Sequence, residues 1–388
     1  MFSFLLAIIY LCFVSLGLPD SLLGASWPII HQEFNVPVSF AGFVSVTSCV
    51  CTIISSLLSD RLTKKFSPGV VTVVSIALSA VGLLGFSLSN NFYLLIIFAI
   101  PYGLGAGGVD ACLNNYVAIH YESKHMSWLH AMWGLGTIIS PYIMGYSLTS
   151  GTGWNQGYFI VSIIQFCICT IVFFTISKWH KNSGKLNQNN QVLSLKDIVK
   201  IPGAITCFIT FFCYCGLETT AMLWASSYLV DVRQLSEEVA AMLASLFCIG
   251  ITVGRLINGF LTYKLKDKTL INIGISILLF AVLLLFIPNT VTTIVGFVLI
   301  GLGCAPIYPS IIKSTPVLFG EENSQAMIGV QMAFAYIGVL LMPPLFGVVS
   351  DVLSFSILPV FLLIILLAMM IMNGITNKIT TKKGETID

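Results

Sequence analysis

The sequence predicts an all-α membrane protein with twelve transmembrane helices arranged as two six-helix bundles. Of the 388 residues, 57% are apolar and only 9% are Asp, Glu, Lys or Arg, whereas a water-soluble chain has roughly 25% charged residues. Because so few charges cannot cover a surface in water, we expect the chain to lie in a lipid bilayer. Helices are expected because lipid offers backbone groups no hydrogen-bond partner, and the apolar runs are too long and uniform for barrel strands.

Twelve apolar runs follow one another along the chain, each close to the roughly 20 residues that a helix needs to cross a bilayer. Polar or turn-forming residues separate them. The predicted helices cover residues 3–28, 38–58, 69–88, 92–118, 127–149, 156–178, 201–230, 236–262, 269–287, 290–314, 324–349 and 354–376. The first run lacks the positively charged segment of a signal peptide, so we expect it to be retained as a helix.

The positions of the basic residues predict the orientation, since Lys and Arg in short loops are retained on the cytoplasmic side. If the first helix starts inside, 16 of the 18 Lys and Arg residues fall in cytoplasmic segments. Of the other two, Arg233 falls outside and Arg255 lies near the cytoplasmic end of the eighth helix. We therefore expect a multi-pass protein of the cell membrane with both termini in the cytoplasm.

Charge and spacing exclude several classes of function. The formal net charge is +2 and no basic stripe is present, so we expect no nucleic-acid partner. No spacing typical of a nucleophile, a metal site or a phosphate loop occurs, so we expect no enzyme, catalytic residue, metal or cofactor. All eleven cysteines lie within predicted helices, and we interpret them as packing residues.

The chain contains an internal repeat. Residues 181–198 are polar and divide six helices from six, and the halves match at an offset of about 200 residues. The matching segments are 17–20 with 215–218, 103–106 with 301–304, and 141–145 with 343–347. We predict an N-terminal bundle at 1–180, a cytoplasmic linker at 181–198 and a C-terminal bundle at 199–388. Such repeats predict a substrate site near the midplane between the bundles, with alternating access by rocking.

The segment from Ser56 to Lys65, after the second helix, resembles the Gly-x-Leu-x-Asp-Arg-x-Gly-Arg-Arg signature of the major facilitator superfamily. Ser56 and Thr63 replace two glycines, and the counterpart after the eighth helix has Tyr263 in the Asp position. The resemblance implies the major facilitator fold. An acid at a helix end beside a basic loop could latch the cytoplasmic face and release it; the alternative is a solvated turn needed only for topology. The predicted gating residues are Asp60, Arg61, Lys64, Lys65 and Arg255.

Three acids lie within predicted helices, namely Asp20, Asp110 and Glu218. Ionisable groups are expensive in a membrane and by default mark a transport path. At helical spacing Asp20 and Asp110 each share a face with glycines, which would turn inward. We predict that these three acids couple transport to protons; the alternative is an acid satisfied by interhelical hydrogen bonds, with a structural role only.

The residues at the same depth predict a neutral substrate. No Lys or Arg lies at mid-span, so an anion would lack a counter-charge. A sugar needs hydrogen-bond partners for its hydroxyl groups and an apolar platform for its ring. The alternative for each Trp is a packing role, and the alternative for His130 is a structural role at the interface. The candidate substrate-binding residues are Asp20, Asn114, Asn115, His130, Trp133, Glu218, Trp224, Tyr308, Gln331 and Tyr336.

At these residues the chain resembles the fucose:proton symporter branch of the superfamily, which includes bacterial glucose/mannose:proton symporters. Asp20 matches an acid in helix 1, and the run 103–105 followed by Asp110 matches helix 4. Segment 213–220 resembles the Tyr-x-Gly-x-Glu or Tyr-x-Gly-x-Gln of helix 7, and Gly254-Arg255 recurs in helix 8. His130 aligns with a glutamine of the family. The resemblance implies that Asp110 carries the proton and that Asp20 is a second protonatable or substrate-binding acid.

We therefore expect proton-coupled uptake of a neutral, hexose-like sugar by a functional monomer. Sodium remains open as the coupling ion, since a carboxylate with Asn114 can also ligate a hard cation. One alternative is proton-coupled efflux of drugs or metabolites, although segment 140–145 lacks two glycines of the Gly-Pro-x-x-Gly-Gly motif of such antiporters. A second alternative is a transporter-like sensor or a lipid flippase.

Overall fold

The computed structural model describes residues 4–37, 40–179 and 193–385, and within these residues it contains helices and no strand. The first half contains α1 (Phe4–Gly17), α2 (Leu22–Glu33), α3 (Ala41–Phe66), α4 (Pro68–Ser87), α5 (Phe92–His120), α6 (Ser123–Thr149) and α7 (Trp154–Phe173). The second contains α8 (Leu195–Ile198), α9 (Ala204–Arg233), α10 (Glu237–Leu261), α11 (Asp267–Leu285), α12 (Thr290–Phe319), α13 (Glu321–Leu353) and α14 (Leu358–Glu385). Short 3₁₀ turns follow α7 and precede α14.

Ten spans in the described part of the chain are long and apolar enough to cross a membrane, with α1 and α2 together forming the first. Helices α6 and α10 occupy the two other predicted positions, so the twelve-helix fold class is confirmed. Helix α3 continues to Phe66 and α14 to Glu385, beyond the predicted ends at 58 and 376. Hydropathy marks only the apolar part of a helix, whereas Lys and Thr continue it into the interface.

The first span is not the single helix predicted at 3–28, because a turn at residues 18–21 separates α1 from α2. Pro19 has no N–H, so the carbonyl of Ser15 loses its helical partner. On α7, Nε2 of the buried Gln165 donates to that carbonyl at 2.6 Å, and Oγ of Ser15 donates to Oε1 of Gln165. The Gln165 amide therefore replaces the missing backbone donor and stabilises the break.

The chain divides into two compact units, Met1–Tyr116 with Leu129–Val192 and Val117–Trp128 with Leu193–Asp388. Most of the predicted linker at 181–198 lies outside the described residues. Its last part forms α8, in which the N–H of Asp197 donates to Oγ of Ser194 at 3.3 Å. The bundle boundaries at 1–180 and 199–388 remain predictions.

Glycines of the predicted repeat sit where helices approach closely within each unit. A Cβ on Gly103 would lie 2.2 Å from a carbonyl oxygen of α3, and one on Gly105 would lie 2.3 Å from a carbonyl oxygen of α4. In the second unit, a Cβ on Gly301 would lie 2.3 Å from a carbonyl oxygen of α10, and one on Gly303 would lie 3.0 Å from a carbonyl oxygen of α11. Equivalent glycines thus contact equivalent helices, which supports the internal repeat.

The segment that resembles the superfamily signature is helical rather than a loop. Residues 56–65 form the last turns of α3, and a reversal at Ser67 follows them, with φ of 76°. Pro68 then starts α4 immediately. The charges of this segment therefore have fixed positions on a helix, unlike those of a solvated turn.

Candidate functional site

Asp20 lies in the turn between α1 and α2, and its carboxylate is held by two aromatic side chains of the first unit. Nε1 of Trp133 on α6 donates to Oδ2 at 2.8 Å, and the hydroxyl of Tyr102 on α5 donates to Oδ1 at 3.1 Å. Asp20 is nevertheless exposed. An ionised carboxylate has about four acceptor positions, so the two bonds leave about one acceptor position on each oxygen.

Local packing brings the Asp20 turn against α6. A Cβ on Gly17 would lie 2.1 Å from the Trp133 carbonyl oxygen, and one on Gly136 would lie 2.2 Å from the Val14 carbonyl oxygen. The two backbones can approach this closely only because both residues are glycine. Oγ of Ser21 also donates to the carbonyl of Thr137, at 3.1 Å. The sequence around Pro19 therefore positions Asp20 on Trp133.

Asp110 lies in a second, separate network of the first unit. Nδ2 of Asn114 donates to Oδ1 of Asp110 at 2.7 Å, and Oδ1 of Asn114 is 3.0 Å from Nε2 of His130. The edge of the His130 ring packs on Phe13, with ring centroids 5.3 Å apart. All three polar side chains are buried. The network connects a carboxyl group to an imidazole through one amide, which is an arrangement that can hold a proton away from solvent.

His130 therefore belongs to the buried Asp110 network and is not among the recorded hydrogen-bond partners of Asp20. Its 5% exposed surface leaves almost none for a substrate. Asn114 and Asn115 are buried to the same degree, at 0% and 1%. In this conformation these three predicted substrate contacts belong to the interior of the unit.

Glu218 is not the isolated acid that the sequence predicts. Nη2 of Arg255 on α10 lies 3.5 Å from Oε1 of Glu218, which stands midway along α9. The side chains are 4% and 14% exposed. The expectation that no cation accompanies the acids of the spans is therefore wrong, because the long Arg255 side chain reaches inward from its backbone position.

The other predicted substrate contacts of the second unit have partners of their own. Nε1 of Trp224 donates to the Pro343 carbonyl at 2.9 Å, and its ring packs on Phe346 and Phe355. Gln331 is fully buried and hydrogen bonded to Thr315 and Cys207. Tyr308 and Tyr336 are half-buried, and the Tyr308 ring lies 4.7 Å from that of Phe211. Of these four, only Gln331 is fully buried, since Trp224 is half-buried like the two tyrosines.

The sequence also matches known proteins. The model of the Major Facilitator Superfamily matches residues 9–286 and 206–379, which together cover most of the chain. The chain belongs to the major facilitator superfamily. This membership confirms the resemblance drawn from the signature segment, and it makes the chain a membrane transporter by family rather than an enzyme.

Individual superfamily members show how far the similarity extends. The glucose/mannose transporter GlcP of Bacillus subtilis (strain 168) is 25% identical over 330 residues, covering 77% of each chain. The crystal structure of the transporter FucP in the outward conformation superposes with a TM-score of 0.82 at 16% identity, covering 96% of this chain and 98% of FucP. The proton:xylose symporter XylE, bound to 6-bromo-6-deoxy-D-glucose, gives 0.77 at 11% identity, covering 97% and 95%. At these identities the two structures establish the fold alone.

The superfamily signature holds an internal ion pair in this chain. Nζ of Lys64 donates to Oδ2 of the buried Asp60 at 2.9 Å, four residues earlier on α3. Oδ1 of Asp60 is buried without a hydrogen-bond partner among the described residues. Arg61 and Lys65 are exposed. This buried oxygen can accept a hydrogen bond in a conformation that brings a donor to it. The gating role of these residues and of Arg255 remains a prediction.

Three side chains with contacts between helices escaped the sequence analysis. Tyr102 adjoins the Gly103 run, but nothing in its spacing indicates that it meets Asp20. Gln165 is an amide within the apolar run 156–178, and this burial of a polar group was a usable signal. Lys313 was counted only as a topology charge, yet its Nζ donates to the carbonyls of Ala118, at 2.6 Å, and Tyr121 at the end of α5.

Proposed function

We propose that this superfamily member takes up a neutral, hexose-like sugar together with protons, as a monomer in the cell membrane. The observation that carries the proposal is the exposed carboxylate of Asp20, oriented by Trp133 and Tyr102. A carboxylate with free acceptor positions binds adjacent hydroxyls of a polyol, and the indole beside it offers an apolar face to the ring.

The coupling site in this proposal is the buried network of Asp110, Asn114 and His130. A transported proton would bind Asp110. The Asn114 side chain, which contacts both Asp110 and His130, would then rearrange its hydrogen bonds to the acid and the imidazole. Since Asp20 is exposed and Asp110 is buried in the same unit, substrate and proton would have separate sites. The similarity to GlcP, to FucP and to the proton:xylose symporter XylE supports sugar and proton as the transported pair.

Transport by the purified protein in liposomes tests the proposal. Labelled glucose or mannose should accumulate when the outside is acidified, and should not accumulate in a sodium gradient alone. Asp110→Asn should abolish accumulation but spare counterflow exchange of sugar, because the variant cannot release a proton yet keeps the Asp20 site. Asp351→Asn, at an exposed acid near the end of α13, is the matched control and should transport like the wild type.

Two results would contradict the proposal. Accumulation driven by sodium without a proton gradient would show that sodium, and not the proton, is the coupling ion. Failure of every sugar in a panel, together with outward pumping of a lipophilic cation, would replace uptake with efflux.

A further inference from the structure

The second unit contains a cleft that the proposed transport site does not use. It lies where α9 and α11 begin and where α12 and α14 end, and its cavity volume is about 150 Å³. None of the residues around it belongs to the predicted substrate or gating sets. Its polar lining includes Lys268, Ser314, Asn373, Asn377 and Thr380, and its apolar lining includes Ile271, Ile311 and Leu318.

The cleft has a positive charge and no acid in its lining. Lys268 is exposed, and no ion pair is recorded for it among the described residues. The neighbouring Asp267 is not part of the lining, and its Oδ2 accepts a hydrogen bond from Ser123 at 2.7 Å. An anionic group is therefore the complementary occupant.

The hydrogen-bonding groups of the cleft include donors that the fold leaves available. The Asn373 side chain makes no recorded hydrogen bond within the described part of the chain, and it is only half-buried. In contrast, the Thr376 and Thr380 hydroxyls donate to backbone carbonyls of α14, at 3.0 and 2.9 Å. The available donors are thus the Lys268 ammonium and the Asn373 amide, which suit the oxygens of a phosphodiester.

We propose that this cleft binds the phosphodiester headgroup of an anionic phospholipid from the surrounding bilayer. Basic pockets between transmembrane helices on the cytoplasmic side suit such headgroups, and the positive-inside pattern predicts that this end of the helices faces the cytoplasm. Ile271, Ile311 and Leu318 give the cleft an apolar wall against which the glycerol and upper acyl chains can pack. A free phosphate ion would gain nothing from that wall.

Native mass spectrometry of the purified full chain tests the proposal with phosphatidylglycerol and phosphatidylcholine as probes. The wild type should retain phosphatidylglycerol in preference to phosphatidylcholine. Lys268→Gln and Asn373→Leu should each lower phosphatidylglycerol retention about fivefold, the effect of one cation or one hydrogen bond near a membrane surface. Lys264→Gln removes a charge at the same end, outside the cleft lining, and should leave retention unchanged.

Three outcomes would overturn the proposal. Equal retention of the two lipids would show that charge is not recognised, and equal losses in Lys264→Gln and Lys268→Gln would indicate a diffuse surface attraction. Displacement of phosphatidylglycerol by an excess of inorganic phosphate would assign the cleft to a free anion. The thermal midpoint of each variant is measured in parallel, and because Asn373→Leu adds no charge, it tests the site even where Lys268→Gln fails to fold.

Discussion

Two tryptophans of the first unit donate the same kind of hydrogen bond to a carboxylate, in contrasting surroundings. Trp154 is 1% exposed, and its Nε1 donates to Oε2 of Glu33 at 2.6 Å, at the end of the first span. Trp133 makes the equivalent bond to Asp20 at 2.8 Å, where the acid is exposed. The first pair joins the end of α2 to the start of α7, whereas the second orients an exposed acid, which is the basis of the proposed sugar site.

Trp133→Phe should weaken sugar binding about tenfold, because it removes the donor that orients Asp20 while retaining an aromatic ring. A hydrogen bond to a charged group contributes about 1.5–3 kcal/mol, and the residual Tyr102 bond keeps the loss near the lower value. Equilibrium binding of labelled sugar to the purified variant measures the effect. Trp154→Phe is the matched control and should bind with wild-type affinity; equal losses in both variants would assign Trp133 a packing role.

Arg255→Met should destabilise the protein by up to about 3 kcal/mol, because it leaves the largely buried carboxylate of Glu218 without its counter-charge. The double variant Arg255→Met with Glu218→Gln should recover most of that loss. Denaturant unfolding in micelles gives the free energy of unfolding for each variant. Arg61→Met, at an exposed arginine of α3, should change it by no more than about 0.5 kcal/mol. Glu218→Gln alone completes the cycle, and additive effects of the two single substitutions would mean that the pair does not interact.

Among individual residues, the sequence best identified the side chains that are rare inside apolar helices. Asp20 and Asp110 stand out because carboxyl groups inside apolar helices are expensive. Their partners could not be identified, because Tyr102, Trp133 and His130 meet them across helices. The contact of Arg255 with Glu218 was missed because position along a helix locates only the backbone, whereas the guanidinium lies at the end of a long side chain.

The break between α1 and α2 is the element that hydropathy could not predict. A proline within an apolar run is compatible with a continuous span, since membrane helices tolerate proline when another group satisfies the freed carbonyl. The group in question is Gln165, 150 residues away from Ser15 in the sequence. The apolar pattern therefore predicted a span at the correct place, while its geometry depended on a contact from the sixth span.

Gln165→Leu should lower the free energy of unfolding by about 1–2 kcal/mol, because the Ser15 carbonyl then lacks a donor inside the protein. Denaturant unfolding in micelles measures this change. Gln156→Leu, at an exposed glutamine in the first turn of the same α7 helix, should leave the stability unchanged. An unchanged stability in Gln165→Leu would mean that water or a backbone shift replaces the amide.

For the whole molecule, the distribution of charge predicts a topology that fusion proteins can check. Alkaline phosphatase joined after Asn90, between α4 and α5, should be active because that loop is predicted to lie outside. The same enzyme joined after Lys266, between α10 and α11, should be inactive, and a fluorescent protein joined after Asp388 should fluoresce in the cytoplasm. An inverted pattern would contradict the positive-inside assignment.

The twelve-helix architecture was predictable because a bilayer restricts which structures can span it. Lipid requires helices of a fixed length, so composition, apolar runs and the repeat were sufficient to predict twelve helices. The close approaches at Gly103 and Gly301 follow the same repeat. The grouping of Val117–Trp128 with the second unit was not predictable, since it depends on contacts such as that of Lys313 with the end of α5.

The bond between Gln165 and Ser15 also orders events during biosynthesis. The first span enters the membrane before α7 is synthesised. Until the sixth span is inserted, the Ser15 carbonyl therefore lacks its Gln165 donor and can accept a hydrogen bond only from water. A fragment that ends before Trp154 would contain both α1 and α2, yet it would lack the amide that holds them in their native relation. The turn that presents Asp20 is therefore completed late, and partially synthesised chains should be poor ligand binders and good substrates for membrane proteases.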